Sequence, residues 1–511
     1  MTHRSRVSPR LILAVVAYGV FVAADDLTVV STMLRQIVFD LEIPLPEGLS
    51  DAAWIVNAYL IAYVVVMPFI GKLSDIFGRR TVYMAAFTLF LLGSIWIPLA
   101  PNLPLFLVGR VITALGGGAM VPVAMAVIGD VYEPKKRAGA MGILGTIDTA
   151  GWIWGPLYGA LLVRYLSWEW QFYLNIPLSV VGIAAAYFVL RDLPTPSKKV
   201  SLDWTGVTVL SLGLIALNVA LLGSGDVSAA GGFATLPTEQ PTDYSLPLYL
   251  VALIAFIAFI FIERRAEHPL IDLRLFRRLN FRTAVLINFL IGFILIIAMV
   301  NVPLIINLLE LNLEQAALDS GQLLSALTIA MAIMAYVGGQ LTERYSYRPT
   351  VALGLLACVT GFALMGFTWQ VDTSYGQMAW QLAILGCGFG LVISPIGTAV
   401  NSAGDDERGV ASSLVIVLRL MGMSVGLSGL TAWGLERFNH LRTQIQLPDL
   451  PFTDPVYQQA IVDGLTQTTV HVLTETFLIS AAVAVVAVII GLRLRPDEES
   501  HQPVSDQPVS N

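Results

Sequence analysis

"GKLSDIFGRR", residues 71–80, and "GQLTERYSYR", residues 339–348, are two versions of one pattern. Gly71 answers to Gly339, Leu73 to Leu341, Asp75 to Glu343 and Arg80 to Arg348, at a constant offset of 268 residues. Each stretch joins two long apolar blocks on what the charge pattern marks as the same side. A pattern that recurs with matching topology points to an internally duplicated chain. Duplicated membrane chains are typical of secondary transporters, whose halves rock about a site near the bilayer midplane.

The blocks around these loops set the class. Of 511 residues, 56% are hydrophobic and 13% charged, whereas soluble domains are closer to a quarter charged. The apolar residues come in continuous runs of about 20, the length that crosses a bilayer as a helix. Continuous rather than alternating runs exclude a membrane β-barrel, leaving helices to satisfy their own backbone. The periodicity predicts fourteen spans: 11–38, 52–70, 80–98, 104–129, 138–163, 169–191, 203–223, 245–262, 281–308, 317–339, 349–368, 377–399, 408–433 and 472–493. Arg4, Arg6 and Arg10 before Leu11–Val22 have the outline of a cleaved signal peptide. The apolar run resumes from Leu27 to Phe39, which favours one span interrupted by charges.

Lys and Arg give the orientation. Twenty-three of the 29 fall on the side of the two repeated loops, and only Arg164, Arg437 and Arg442 on the other. By the positive-inside rule both termini are expected in the cytoplasm, and the chain in a bacterial inner membrane. Three segments outside the spans stand out: a Gly/Pro/Thr-rich outer loop at 224–245, a basic inner linker at 263–280 that is expected to lie along the membrane surface, and a polar outer segment at 436–470. The last is long for a connection, and such loops are usually functional or disordered.

Other classes find little support. The net charge of −7 gives no support to a nucleic-acid partner. There is no phosphate-binding GxxxxGK[ST] loop and no CxxC or His/Cys cluster, so neither an ATPase, a metal site nor a cofactor is implied. Cys358 and Cys387 lie inside apolar blocks and read as small buried hydrophobes. "GGGAM", Gly116–Met120, reads as a site of close helix packing rather than a phosphate cradle. No histidine lies deep in a span, so any proton relay must use carboxylates.

The loop at 71–80 resembles the signature inner loop of the major facilitator superfamily: Gly71, Leu73, Asp75, Gly78, Arg79 and Arg80 fall where that motif has them. The weaker second copy, with Glu343 and Arg348, is typical as well. The resemblance implies an all-α fold of two six-helix bundles. Two further helices between them resemble the fourteen-helix drug:proton antiporter branch. The expected domains are an N-terminal bundle at 1–195, two inserted helices at 196–265, a C-terminal bundle at 266–495 and a cytoplasmic tail at 496–511. Independently of the family, Asp75 is placed to cap a helix end or pair with a cation, and such contacts can latch one conformation.

Charges inside the spans are the candidate transport groups. Asp26 lies about 22 Å along the first span at 1.5 Å per residue, near the midplane. A carboxylate there is expensive and should face a cavity or a partner. Arg35, about 13 Å further along and on the opposite face, is not that partner. Asp26 and Thr28 match the first-helix motif of the fourteen-helix branch; Asp25 is an addition, Ser31 stands for its asparagine and Arg35 for its proline. An arginine there resembles the mycobacterial lipid exporters of the superfamily, as does "GLSGLTAWGLERF" after Arg419. That resemblance implies a triacylglyceride-like substrate and a periplasmic lipoprotein carrier.

In the fifth span Gly151, Gly155 and Gly159 recur every four residues, a small-xxx-small face, and Pro156 favours a bend. This stretch resembles the antiporter motif of proton-driven exporters, with Ala160 where a further glycine is usual. Asp148, seven residues before Gly155, shares nearly its face and is the second candidate proton carrier. Arg110 resembles the fourth-helix arginine of these antiporters, and Arg419 takes the equivalent part in the second half. "WQFYLNIP" is also family-like, with Glu169 where arginine is common.

The expectation is a monomeric, proton-coupled exporter of lipophilic molecules, lipids ahead of drugs. The alternatives are a multidrug:proton antiporter and an energy-independent flippase; a membrane-embedded enzyme would need a cluster of catalytic groups that the sequence lacks.

Overall fold

Start signals place the helix ends. Ser8 caps a helix with Pro9 in its first turn, Asn102 accepts from Leu105 N at 3.1 Å ahead of Leu103, and Asp454 accepts from Val456 N at 2.8 Å beside Pro455. A side-chain oxygen at this position satisfies an orphan N–H of the first turn, and proline there forfeits no helical bond. The computed structural model describes residues 7–43, 49–193, 203–223, 245–266, 269–310, 313–401, 408–445 and 454–494.

Among these residues the chain forms fourteen α-helices: α1 Pro9–Asp40, α2 Leu49–Phe77, α3 Arg79–Trp96, α4 Leu103–Val131, α5 Pro134–Tyr165, α6 Glu169–Val189, α7 Trp204–Gly223, α8 Ser245–Glu263, α9 Leu279–Leu309, α10 Leu313–Tyr345, α11 Tyr347–Thr368, α12 Tyr375–Asn401, α13 Arg408–Arg442 and α14 Pro455–Gly491. Thirteen are long and apolar enough to cross a membrane; α5 is outside that set. The protein is a multi-pass membrane protein.

The halves repeat one packing scheme. α1 meets α5 through Gly151, Gly155 and Gly159, and α9 meets α13 through Gly422 and Gly426. α4 presses Gly117 and Gly118 against Tyr59 and Tyr63 of α2, and α12 presses Gly386 and Gly390 against Leu327 and Met331 of α10. Helices in lipid associate by packing, and small residues let backbones approach. "GGGAM" is such a surface: Gly116 adds contact with Ala86 and Phe90 of α3.

The cores show where the halves join. One cluster joins α1, α2, α3, α4 and α5 to Phe281–Val285 of α9 and Val410–Leu420 of α13, all near the basic loops. Towards the opposite side the core divides. Val29–Val38, Ile55, Ile97, Phe106, Leu162, Trp168 and Phe172 form a cluster of the first half alone, and the remaining core belongs to the second half alone. The core that joins the halves thus lies towards the basic loops, and among the described residues no buried apolar cluster joins them towards the opposite side.

Two sequence expectations change. The segment at 436–470 is mostly helix: α13 continues to Arg442 and α14 begins at Pro455, with 446–453 outside the described residues. Hydropathy marks where a helix meets lipid, not where it ends, and the polar residues before Val470 suit a helix in water. The stretch before Val470 adds about 24 Å to α14 at 1.5 Å per residue. Arg437 joins the two helices by a bidentate ion pair with Glu475, at 2.9 and 2.8 Å, and His471 Nε2 lies 3.3 Å from the same carboxylate. The basic linker, expected to lie along the surface, instead tucks Leu270, Ile271 and Leu275 into the core, with a short 3-10 turn at Leu273–Arg277. Most of the loop at 224–245 and the tail at 496–511 lie outside the described residues.

Candidate functional site

Asp26 is fully buried in α1, and its partners come from two other helices. Arg110 of α4, also fully buried, places Nη1 3.0 Å from Asp26 Oδ2. Asn175 of α6 donates from Nδ2 to Asp26 Oδ1 at 3.0 Å. The Arg110 guanidinium lies over the Tyr59 ring of α2, 4.1 Å from its centroid. A buried ion pair persists when hydrogen bonds satisfy the remaining polar atoms, and the cation over the ring face adds a further attraction. Asp26 is thus bound into all of α1, α4 and α6.

Asp25 is differently placed. It is 7% exposed, and its Oδ2 accepts from Gln171 Nε2 of α6 at 3.2 Å. Its Oδ1 is buried without a hydrogen-bond partner among the described residues. Gln171 Nε2 also lies 3.5 Å from Asn175 Oδ1. The two amides, one turn apart on α6, link the two carboxyl groups.

Asp148 of α5 meets Arg419 of α13, with Nη2 to Oδ2 at 3.4 Å. The pair joins the halves, and both side chains are about nine-tenths buried, at 14% and 13% exposure. Arg419 also lies 6.0 Å from the ring centroid of Trp152. Asp25, Asp26, Arg110, Asp148 and Arg419 are all singled out by the sequence as charges within spans, but their pairing is not.

The glycine face of α5 sits against the carboxylate segment of α1. A Cβ on Gly151 would meet Ala24 Cβ at 2.7 Å and Phe21 O at 2.9 Å; one on Gly155 would meet Asp25 O at 2.9 Å and Val29 N at 3.0 Å. Gly159 packs on Val29 and Thr32 in the same way. Pro156 lies within α5 and Arg35 within α1, with both side chains outside the described set.

The repeated loops differ in their partners. Asp75 and Arg79 form an ion pair within the first loop, and Arg79 Nε also reaches Asp130 Oδ2 of α4 at 3.0 Å. Arg79 Nη1 donates to Ser74 Oγ at 2.5 Å, and Ser74 Oγ to Gly71 O at 2.8 Å. Arg80 lies over Tyr187 of α6, 4.5 Å from the ring centroid. Gly78 has φ 88°, which its missing Cβ allows. In the second copy Ser346, at the same offset of 268, has φ 83°. Glu343 reaches across the halves, its Oε1 accepting from Gly139 N of α5 at 2.9 Å. Beside it Thr146 Oγ1 donates to Ala332 O of α10 at 2.8 Å. Arg348 is exposed.

Asn175, Gln171, Tyr59 and Asp130 were missed in the sequence. Gln171 and Asn175, four apart in an apolar helix, were the legible signal: two amides on one face of a span need partners.

The model of the Major Facilitator Superfamily matches residues 16–427. The chain belongs to the major facilitator superfamily. It is 31% identical to a triacylglyceride transporter of Mycolicibacterium hassiacum, over 98% of this chain and 95% of that protein. It is also 31% identical to a triacylglyceride transporter of Mycobacterium tuberculosis, over 99% and 98% of the two chains. The multidrug transporter protein MdtP of Bacillus subtilis is likewise 31% identical, over 88% of this chain and 80% of that one. Among solved structures, the human organic anion transporter MFSD10 aligns with TM-score 0.60 at 14% identity, covering 93% of this chain and all of that one. The proton:xylose symporter XylE aligns with TM-score 0.60 at 13% identity over 94% of both chains. At these identities the structures share the major facilitator fold. As a major facilitator protein the chain is a secondary transporter and not an enzyme.

Proposed function

We propose that this protein exports lipophilic molecules, lipids of the triacylglyceride class, from the bacterial inner membrane in exchange for protons. The observation that carries the proton coupling is the Asp148–Arg419 pair, a charge contact between two halves that must part for the inner side to open. A proton arriving from the open outer side converts Asp148 to its neutral acid and releases Arg419, which frees the halves to swing. Asp26, with Arg110 beside it, and its neighbour Asp25 are the second place where a proton can change the balance. Substrate leaves outward before the swing, and the proton leaves inward after it. The contacts of Glu343 with Gly139 and of Arg79 with Asp75 and Asp130 hold the inner side shut between turns.

Lipid as the substrate is supported by three features. The full-length similarity to proteins named triacylglyceride transporters is one. Arg35 is the second. The third is the helical pair above Arg437–Glu475, which can lead a lipid away from the membrane or dock a periplasmic lipoprotein carrier. The similarity to a protein named a multidrug transporter favours a second reading, drug efflux by the same cycle. Transport of a labelled triacylglyceride and of a cationic dye, compared in proteoliposomes after deletion of 440–468, separates the two. Selective loss of lipid transport supports the carrier-docking role; equal loss of both opposes it.

A further inference from the structure

At the inner end of the inserted helices two carboxyl groups converge. Asp203 precedes α7, and its Oδ1 accepts from Thr205 N at 3.1 Å and Gly206 N at 3.0 Å, capping the helix. Glu263 closes α8, is 4% exposed, and accepts from Ile271 N through Oε2 at 3.3 Å. The two oxygens left over, Asp203 Oδ2 and Glu263 Oε1, are both buried without a hydrogen-bond partner among the described residues. Both point at Gly206, each 2.7 Å from where its Cβ would stand, so they are no more than about twice that distance apart. The glycine makes room for them.

Two carboxylates so placed cannot both be charged without strong repulsion. Lys72 of α2 acts on Glu263 from a distance and forms no direct ion pair with it among the described contacts. Arg264 and Arg265 are exposed beyond the end of α8, and Asp272 of the linker is occupied in capping Arg274 N at 2.8 Å. Among the described residues, no cation stands between the two oxygens.

We infer that Asp203 and Glu263 form a proton-sharing carboxyl pair that clasps the inner ends of α7 and α8 and opens when the cytoplasmic side turns alkaline. One proton on the pair supplies the missing hydrogen bond; its loss to the cytoplasm leaves two like charges over Gly206. The clasp has a path to the transport machinery. α7 is fixed to α13 by Ser428 Oγ donating to Leu221 O at 2.7 Å and Ser424 Oγ donating to Asn218 Oδ1 at 3.3 Å. α13 carries Arg419, so the state of the inserted helices bears on the helix that locks the halves. The site is separate from Asp26 and Asp148, and its chemistry does not depend on what is transported.

The test is pH-difference infrared spectroscopy of the full chain in lipid nanodiscs, with amide hydrogen exchange at Ile271 on the same samples. A protonated-carboxyl band that vanishes on alkalinisation is expected in the wild type. It should be absent from both Asp203→Asn and Glu263→Gln, where an amide supplies the shared hydrogen bond, and present in Asp26→Asn. Protection at Ile271, corrected for intrinsic exchange, should fall about tenfold from pH 6 to 9 in the wild type and stay level in both variants. A band that survives in both variants, or that only one of them removes, overturns the pair. So does Ile271 protection that is independent of pH in the wild type.

Discussion

Arg419 on α13 and Asp148 on α5 stand 3.4 Å apart across the boundary between the two six-helix halves. The pair is one of the contacts that join the two halves in this structure. In the proposed cycle a proton on Asp148 removes this attraction, and a ligand shifts an equilibrium by its differential affinity for the two states.

Asp148→Asn should therefore lower proton-driven transport by about tenfold or more, since each 1.36 kcal/mol is about a factor of ten in rate. Arg419→Ala should do the same. The exchanged pair Asp148→Arg with Arg419→Asp should recover closure of the inner side but not proton sensitivity. Initial rates together with inner-side accessibility of an engineered cysteine check this. Full transport in Asp148→Asn would remove the pair from the cycle.

The positive-φ positions of the two loops predict opposite effects. Gly78→Ala places a Cβ at φ 88° and should destabilise by about 1–2 kcal/mol. Ser346→Gly relieves the same conformation at φ 83° and should stabilise by up to about 1 kcal/mol. Thermal unfolding of the detergent-solubilised protein reads both. Shifts of the same sign would contradict the shared geometry.

Gly155 faces the Thr28 hydroxyl and, just behind it, the backbone of α1 at Asp25 and Val29. Gly155→Val should push α5 from Asp25 and Val29, costing about 1–3 kcal/mol and lowering transport beyond the loss of folded protein. Gly376, with nothing near its missing Cβ, is the control, and Gly376→Ala should be within about 0.5 kcal/mol of wild type. Unfolding midpoints and rates per folded molecule separate the two effects.

The Arg79 cluster predicts a leak rather than a block. Asp130→Asn leaves Arg79 with Asp75 and Ser74 but weakens its hold on α4. The inner side should open more often, seen as several-fold faster labelling of a cysteine placed at the inner mouth. Labelling at the wild-type rate would assign Asp130 to topology alone.

Much of this was legible before any coordinates. Periodicity alone points to the fourteen helices, because lipid forces each apolar run to satisfy its own backbone. Asp26, Asp148, Arg110 and Arg419 stood out because charge is costly at that depth. Their pairing did not, since Arg110 and Asp26 are 84 residues apart and meet only through packing. Asp130, one residue before the end of α4, looks like any interfacial charge until Arg79 reaches it. The helix over Pro455–Val470 was hidden for another reason: the reading followed hydropathy, and a helix outside lipid has none to show, although Asp454 and Pro455 spelled its start.

In the proposed cycle intramembrane carboxyl groups couple proton entry to export, and Asp26, held between Arg110 and Asn175, is the first of them to be tested. Its most direct test is transport of lipid and dye in proteoliposomes with an imposed proton gradient, comparing wild type with Asp26→Asn. The expected result is gradient-driven export by the wild type, abolished by a protonophore, and at least about tenfold slower export in the variant, with little further loss on collapse of the gradient. Wild-type rates and unchanged proton dependence in Asp26→Asn would contradict it.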